Sequence, residues 1–518
     1  MQIVTISQIR HLEQQMMKDG ISGFELMRRA GEGAAAEILH YVECRYPLRS
    51  RQRYVLFAGK GNNGGDAWVV ARKLFEFGCA VELYSICSQD QLQGDALEHA
   101  LELPPEIPQF TCWDGKLPDT ALREGSIVVD GLLGTGFHGE LRSDIAAIVK
   151  KINDVNLPVI ALDIPSGVNG DSGKGEKAVV ADCTLTMGLP KIGLFSEDGL
   201  RCSGIIRIID IGLFKEWNKN PQTETIDTFG TYDAKKLLKR REAVSHKNSF
   251  GHALCLSGSQ KYYGAAYLGA EACVLSGAGL VTLAMPATCL PHSASLSLII
   301  QKLGDEWDPF FKKEMIPEIE KLLPYKTALL YGPGVDVNAD PEVLEFLLKQ
   351  QNLPLVIDAD GLRIFAAHPA LHHLRKDSKN LILTPHPGEL KALGKGFDFW
   401  ILMEQDHPMP QIADAISAAA GAVVVLKGHQ TRVYDNSGGY TINLSGSPAL
   451  ATAGTGDVLA GVITALLAQG MPPADAARLG VFLHGHAADL ACCPQRCFTA
   501  DKLLEMLPIA FQDICPVA

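Results

Sequence analysis

The chain has no apolar run long enough to cross a membrane, no excess of basic residues, no repeating cysteine interval and no internal repeat that can be aligned. Each absence removes a class of function. A membrane-spanning helix needs about 20 consecutive apolar residues. The start, Met1-Gln2-Ile3-Val4-Thr5-Ile6-Ser7-Gln8, lacks the basic stretch and apolar run of a secretory leader. A soluble, cytoplasmic protein is therefore expected. The net charge of -12, with basic residues massed only locally as at Lys235, Lys236, Lys239, Arg240 and Arg241, argues against a general nucleic-acid binder, because neutralising phosphates takes Lys and Arg in excess. Thirteen scattered cysteines suit reduced thiols better than a disulfide framework. Cys492, Cys493 and Cys497 cluster, but no Cys or His pair at ligand spacing accompanies them, so their expected role is structural.

What is present is apolar and glycine-rich. At 518 residues the chain exceeds what one core usually supports. Hydrophobic residues at 47%, charged residues at 20% and 50 glycines describe an ordered, loop-rich α/β protein. After an amphipathic helical segment predicted over residues 9 to 42, short apolar runs at 54–58, 80–84, 126–130 and 158–163 read as strands, with a helix predicted over 66–77. From 212 to 247 the pattern lapses into a polar stretch, taken as a domain boundary. A second series follows, with strands predicted at 253–256, 280–283, 328–331, 355–358, 381–384 and 422–426. Strand, loop and helix in series imply parallel sheets with helices on both faces, and in such sheets ligands bind at the carboxyl ends of the strands.

The loops at those ends carry the chemistry. Near the C-terminus, Ala453-Gly454-Thr455-Gly456-Asp457 leads directly into Val458-Leu459-Ala460-Gly461-Val462-Ile463. Two glycines allow a tight turn close to a ligand, and the helix starting there offers free N–H groups and a positive dipole end to an anion. Asp457 in the first turn is placed to take a proton beside a phosphate. Alone, such a turn is as readily a capped helix start. Four further loops, with Gly258-Ser259-Gln260-Lys261-Tyr262-Tyr263-Gly264-Ala265-Ala266, strengthen the reading: Gly332-Pro333-Gly334, Asp358-Ala359-Asp360-Gly361, Thr384-Pro385-His386-Pro387-Gly388-Glu389 and Lys427-Gly428-His429-Gln430-Thr431. Together they supply glycine-lined backbone, a cation, a His and an Asp, which is what phosphoryl transfer requires.

Across residues 246 to 486 these segments resemble the ribokinase-like ADP/ATP-dependent NAD(P)H-hydrate dehydratases. The resemblance implies a ribokinase-like α/β domain over residues 227–518, with Asp457 as the base that takes the proton from the hydroxyl of the hydrated nicotinamide ring. It implies adenine-nucleotide contacts from Lys427, Gly428, His429, Gln430, Thr431, Gly454, Thr455 and Gly456, and hydrate contacts from Ala265, Gly334, His386 and Asp457. Mg2+ is expected with the nucleotide on charge grounds. Asn248, Asp336 and Ser447 depart from the family pattern; none touches the proposed base.

In the N-terminal half, Gly59-Lys60-Gly61-Asn62-Asn63-Gly64-Gly65-Asp66 follows a predicted strand and opens a helix, a nest of N–H groups suited to phosphate. Asp130-Gly131-Leu132-Leu133-Gly134-Thr135-Gly136 and Asp163-Ile164-Pro165-Ser166-Gly167 leave later strands, and oxygens converging from three such loops suit a hard cation. With Gly188-Leu189-Pro190-Lys191-Ile192-Gly193-Leu194, these segments resemble the NAD(P)H-hydrate epimerase domain. The resemblance implies a Rossmann-like three-layer α/β sandwich over residues 1–220 and a potassium ion near Asn63, Asp130 and Ser166. It also implies hydrate contacts from Asn62, Asn63, Gly64, Gly65, Asp66, Gly134, Thr135, Gly136, Phe137, His138, Gly139, Glu140 and Asp163, with Asp163 as acid/base and Lys191 as its charge partner. Ala67 and Arg28-Arg29 are departures.

The expectation is a bifunctional repair enzyme acting on small molecules as a homo-oligomer, without nucleic-acid or membrane partners. One domain interconverts the epimers of hydrated NADH or NADPH and the other dehydrates one of them at the expense of ADP or ATP. The competing reading is a ribokinase-like small-molecule kinase joined to a non-catalytic binding module.

Overall fold

The computed structural model describes residues 2–45, 53–112, 115–118, 120–213, 217, 227–242, 244–289, 296–404, 409–436, 438–491 and 495–515. Much of the predicted boundary stretch, and Cys492 and Cys493, lie outside them. The chain divides into two compact units, Met1–Thr225 and Ile226–Ala518. Among the described residues no helix is long and apolar enough to cross a membrane.

The first unit is built on seven parallel strands: β1 (Arg53–Ala58), β2 (Ala80–Ser85), β3 (Gln109–Thr111), β4 (Ile127–Gly131), β5 (Val159–Leu162), β6 (Cys183–Met187) and β7 (Ile205–Ile209). Their order is β3-β2-β1-β4-β5-β6-β7. The central strands are mostly apolar and buried because both faces are covered. Tyr54, Leu56 and Ala58 pack into the core on one face, whereas Val55 and Phe57 pack into the core on the other. The winding reverses between β1 and β4, and in such sheets ligands bind beyond the carboxyl ends of the strands at the reversal.

The second unit has ten more strands: β8 (Asp227–Phe229), β9 (His252–Leu256), β10 (Leu280–Pro286), β11 (Leu298–Leu303), β12 (Ala328–Tyr331), β13 (Leu355–Ile357), β14 (Leu381–Leu383), β15 (Ala422–Leu426), β16 (Arg432–Tyr434) and β17 (Tyr440–Asn443). The order is β11-β10-β9-β12-β13-β14-β15-β16-β17-β8. From β11 to β15 the sheet is parallel; β16 is antiparallel to both its neighbours. Here the reversal falls between β9 and β12.

The expected fold class, two α/β domains around parallel sheets, is the one observed. Three local expectations need correction. The single N-terminal helix is two, Ile6–Lys18 and Gly23–Arg45. Gly20, in the left-handed region at φ +95°, ends the first, and the apolar periodicity had run through the break because both helices bury one face. The helix after β1 begins at Asn62 rather than Asp66, so residues 62–66 belong to the helix rather than to the loop before it. The predicted strands also omitted β3, β6, β7, β8, β11, β16 and β17, among which β3 and β11 are exposed edges with little apolar patterning to show them.

The helix carrying Asp457, Thr455–Ala468, lies against the helix Tyr263–Leu275 closely enough that a Cβ on Gly461 would fall 2.1 Å from the Gly269 carbonyl oxygen and 2.7 Å from Ala272 Cβ. No side chain fits between these backbones. Gly461→Val is therefore expected to destabilise the second unit by about 2–3 kcal/mol, read as a lowered urea midpoint; an unchanged midpoint would contradict this packing.

Candidate active sites

In the first unit the loops at the β1, β4 and β5 ends meet closely. A Cβ on Gly59 would fall 1.8 Å from the Leu132 carbonyl oxygen, so only glycine lets the β1 and β4 exits approach. Asp130 ends β4 fully buried. Its carboxylate accepts from the Ser166 amide at 2.8 Å, the Ser166 hydroxyl at 2.6 Å and the Leu132 amide at 3.2 Å. Burial pushes the Asp130 carboxyl up, and the Ser166 and Leu132 hydrogen bonds pull it part of the way back. Asn63 Nδ2 donates to the Leu133 carbonyl at 2.7 Å, while Asn63 Oδ1 is buried and has no hydrogen-bond partner among the described residues. The three residues expected to hold a cation are thus knit into one buried, oxygen-rich knot.

Asp163, at φ +61°, follows β5. Its carboxylate is paired with Lys191, which also donates to the Met187 carbonyl at 2.7 Å and the Thr186 hydroxyl at 3.2 Å; the Met187 amide donates to Asp163 at 3.1 Å. Lys191 is wholly enclosed at 1% exposure, so the pair is held without water between its members. Both residues line a cavity of about 1110 Å³.

Of the expected contacts, Asn62, Asn63, Asp66, Gly134, Thr135, Gly136, Phe137, His138, Glu140 and Asp163 also line that cavity. Gly64, Gly65 and Gly139 do not. A Cβ on Gly64 would fall 1.9 Å from the Gly59 carbonyl oxygen, and one on Gly65 would fall 2.4 Å from Met27 Sδ. These two glycines serve close packing. Burial, and after it the charges of Asp163 and Glu13, hold the Asp66 carboxyl well above the usual carboxylate range. Glu13, on the first helix, lines the cavity too. It gave no signal in the sequence, where it reads as one more polar position on an amphipathic helix.

In the second unit the loops after β13, β14 and β15 gather around Lys427. Its ammonium donates to Asp358 Oδ1 at 2.7 Å and lies 3.7 Å from Glu389 Oε2. Burial lowers the Lys427 pKa, but Asp358 and Glu389 outweigh it and hold the group charged. Gly454, at φ +88°, turns the chain into the helix Thr455–Ala468, and a Cβ on Gly456 would lie 3.4 Å from Lys427 Nζ. The helix start and the cation are therefore adjacent. Asp457, in that first turn, is pushed up to about 7 by burial and by the neighbouring Asp358, against the opposing pull of Lys427. It is poised to exchange a proton near neutrality.

Gly334 and Ala265 also meet: a Cβ on Gly334 would fall 3.2 Å from Ala265 Cβ and 2.3 Å from the Tyr262 carbonyl oxygen. In the Lys427 loop, the Thr431 hydroxyl donates back to the Gly428 carbonyl at 3.1 Å, and Gln430 is left-handed at φ +53°. His429 and Gly428 are exposed. His386 is the N-cap of the helix Pro387–Gly396, its Nδ1 accepting from the Gly388 and Glu389 amides at 3.0 and 3.3 Å. One ring nitrogen is thus committed to the fold. The partnership of Asp358 and Glu389 with Lys427 was missed, although all three lie in loops already singled out at the strand ends. Among the described residues no three His, Cys, Asp or Glu side chains are arranged to hold a metal ion.

Residues 253–508 match the family described as NAD(P)H-hydrate dehydratase, and residues 23–193 match the family described as YjeF-related protein N-terminus. A curated bifunctional NAD(P)H-hydrate repair enzyme from Coxiella burnetii is 34% identical over 494 residues, 93% of each chain. Its counterpart from Moorella thermoacetica is 33% identical over 509 residues, covering 93% of this chain and 92% of its own. A solved ADP/ATP-dependent NAD(P)H-hydrate dehydratase from Bacillus subtilis, co-crystallised with ATP and Mg2+, is similar at 24% identity and a TM-score of 0.41, over 56% of this chain and 99% of its own.

Replacing Lys191 strands a buried carboxylate. Lys191→Met is expected to cost about 3–5 kcal/mol of first-unit stability, measured by urea denaturation. A loss below about 1 kcal/mol, the range of an exposed pair, would show that Asp163 does not depend on it.

Proposed function

The chain belongs to the bifunctional NAD(P)H-hydrate repair enzymes, and from that membership we propose that its first unit interconverts the R and S epimers of hydrated NADH and NADPH while its second unit dehydrates the S epimer at the expense of ADP or ATP. The observation that carries the second assignment is the Asp457 carboxyl, pushed up to about 7 at a glycine-led helix start beside Lys427.

Hydroxide leaves a carbon poorly and a phosphate ester leaves readily, so the dehydration proceeds through phosphorylation. Asp457 takes the proton of the ring hydroxyl, whose oxygen then attacks the terminal phosphorus of the nucleotide. The N–H groups of Gly454, Thr455 and Gly456 and the Lys427 ammonium meet the charge that develops on the phosphoryl group. The lone pair of the ring nitrogen expels phosphate, the neighbouring ring carbon gives its proton to that phosphate or to water, and the reduced nicotinamide is restored. Lys427, Gly428, His429, Gln430 and Thr431 line the nucleotide, and Ala265, Gly334 and His386 the hydrate. Mg2+ is carried by the nucleotide's phosphates and water with at most one or two carboxylates, the manner in which this ion is usually held; when bound it neutralises phosphate charge. The acidic set of Asp358, Glu389 and Asp457 tolerates such an ion better than bare polyphosphate. A kinase releasing a stable phosphate ester is the less favoured reading, since relatives matching over nearly the whole chain are repair enzymes.

In the first unit Asp163, aligned by Lys191, is the acid/base that assists inversion at the hydroxyl-bearing carbon. A potassium ion fits the knot of Asn63, Asp130 and Ser166: Asn63 Oδ1 is a buried oxygen without a partner, and Asp130 is a buried carboxyl in want of positive charge. Held by Asn63, Asp130 and Ser166, it would supply that charge and tie the three loops together.

Two experiments test the assignments. With the S hydrate and each nucleotide, absorbance at the reduced-nicotinamide band should recover, and Asp457→Asn should slow recovery about 100- to 10,000-fold. Because Asp457 acts as a base, kcat/KM for dehydration should rise with pH and level off above about 7, and the residual Asp457→Asn rate should lack that rise. Folded protein that restores no absorbance sinks the dehydratase reading. For the first unit, Asp163→Ala should bring epimer exchange down to the spontaneous rate; exchange at the wild-type rate removes Asp163 from the mechanism.

A further inference from the structure

Glu13 has no role in the chemistry above, yet its placement is specific. The helix Ile6–Lys18 is fixed against the site: Val4 bridges Lys191, the Val4 amide donates to the Pro190 carbonyl at 2.9 Å, and the Ile192 amide donates to the Val4 carbonyl at 3.0 Å. The Ile6 amide donates to Asp171 at 2.8 Å, and Ile9, Leu12 and Met16 bury the helix's apolar face. Glu13 lines the cavity that Asp66, Asp163 and Lys191 also line, and it is half-buried there. Among the described residues its carboxyl takes part in no hydrogen bond or ion pair. A half-buried carboxyl that lines the cavity from a fixed helix, committed to no other described residue, is free to meet a ligand there.

Inversion at the hydroxyl-bearing carbon calls for two such groups. On one face a donor must give a proton to the departing hydroxyl, which leaves as water while the ring-nitrogen lone pair replaces the broken C–O bond. On the other face an acceptor must take a proton from the incoming water as the new C–O bond forms. One water leaves and one enters, with one proton given and one received. Asp163, held by Lys191 and the Met187 amide, is one of these groups. We propose that Glu13 is the other, donating to the hydroxyl that leaves while Asp163 accepts from the water that arrives, with the roles exchanged in the reverse direction. This rests on the epimerase reading of the first unit.

Asp66 is the competing carboxyl. It is 8% exposed, on the helix Asn62–Glu76, whereas half-buried Glu13 keeps a path to solvent through which a proton spent in one turnover is regained. The charged groups acting on Glu13 are Lys191 and Asp163 from the strand ends and Arg10 from its own helix, and Glu13 acts in turn on Asp66. Burial shifts Glu13 upward, the direction a proton donor requires.

The test uses the full chain and the separated R and S hydrates, following epimer exchange by chromatography. Glu13→Gln should lower kcat about 100-fold or more, leave KM within about threefold and leave the thermal transition in place. The wild-type rate should fall on the alkaline side as the donor loses its proton, and Glu13→Gln should lack that limb, with Glu13→Asp restoring part of kcat. Glu13→Gln at near wild-type kcat overturns the proposal, as does loss of the alkaline limb in Asp66→Asn with its survival in Glu13→Gln. Wild-type chain no faster than spontaneous exchange is a separate result, since it removes the epimerase reading itself.

Discussion

A carboxylate taken out of water must find a cation, donated hydrogen bonds or a proton, and both units are organised around that requirement. Asp163 has the cation Lys191. Asp130 has three donated hydrogen bonds, and they only partly offset its burial. Asp66 and Asp457 have neither in full, and their carboxyls are driven toward the protonated form, Asp457 to about 7. These are different solutions to one cost, set side by side at strand ends, and the differences between them are what assign the residues their roles. The two least compensated groups, Asp66 and Asp457, are the ones driven furthest toward holding a proton.

The backbone makes this burial possible. In each sheet the winding reverses once, between β1 and β4 and between β9 and β12, so that consecutive loops diverge and leave room for a ligand beyond the strand ends. The acidic residues sit just past those ends because a strand apolar on both faces tolerates a polar group only where it stops. Close backbone approaches then shut water out behind the acids. Gly59 against Leu132 closes the first unit, and Gly461 against Gly269 seats the Asp457 helix in the second.

That logic also explains what could be read from the sequence. Strand exits announced themselves, since Asp130, Asp163, Asp358 and Lys427 each follow an apolar run directly. The turn at Gly454 to Asp457 was legible from its two glycines and the apolar helix behind it. What could not be read was pairing at a distance. Lys427 appeared as a lone cation for a nucleotide, whereas its ammonium is also the counter-charge for Asp358 and Glu389, which lie far apart in the chain and meet only because β13, β14 and β15 are neighbours. Glycines 64 and 65 read as ligand-contacting positions, and their close packing against Gly59 and Met27 could not be read, because a missing side chain carries no mark of which neighbour required its absence. Glu13 was the hardest case: a polar residue on an amphipathic helix reads as solvated until the fold lays that face over a cavity.

The two sites face one chemical difficulty, a hydroxyl on carbon that does not leave as hydroxide, and on the functional reading above they meet it with opposite charge arrangements. Protonating the hydroxyl needs carboxyl groups that hold a proton near neutrality, and the first unit's cavity has acids in excess of its one buried Lys, with Asp66 and Glu13 both shifted upward. Phosphorylating the hydroxyl needs a base together with positive charge for the phosphoryl group, and the second unit sets Asp457 beside Lys427 at a helix start. Protonation is reversible and returns water to either face, so it scrambles the two epimers without consuming them. Phosphate loss commits the epimer it acts on. Joining the two in one chain lets the reversible step feed the committed one, and a dehydratase that accepts a single epimer can then clear both.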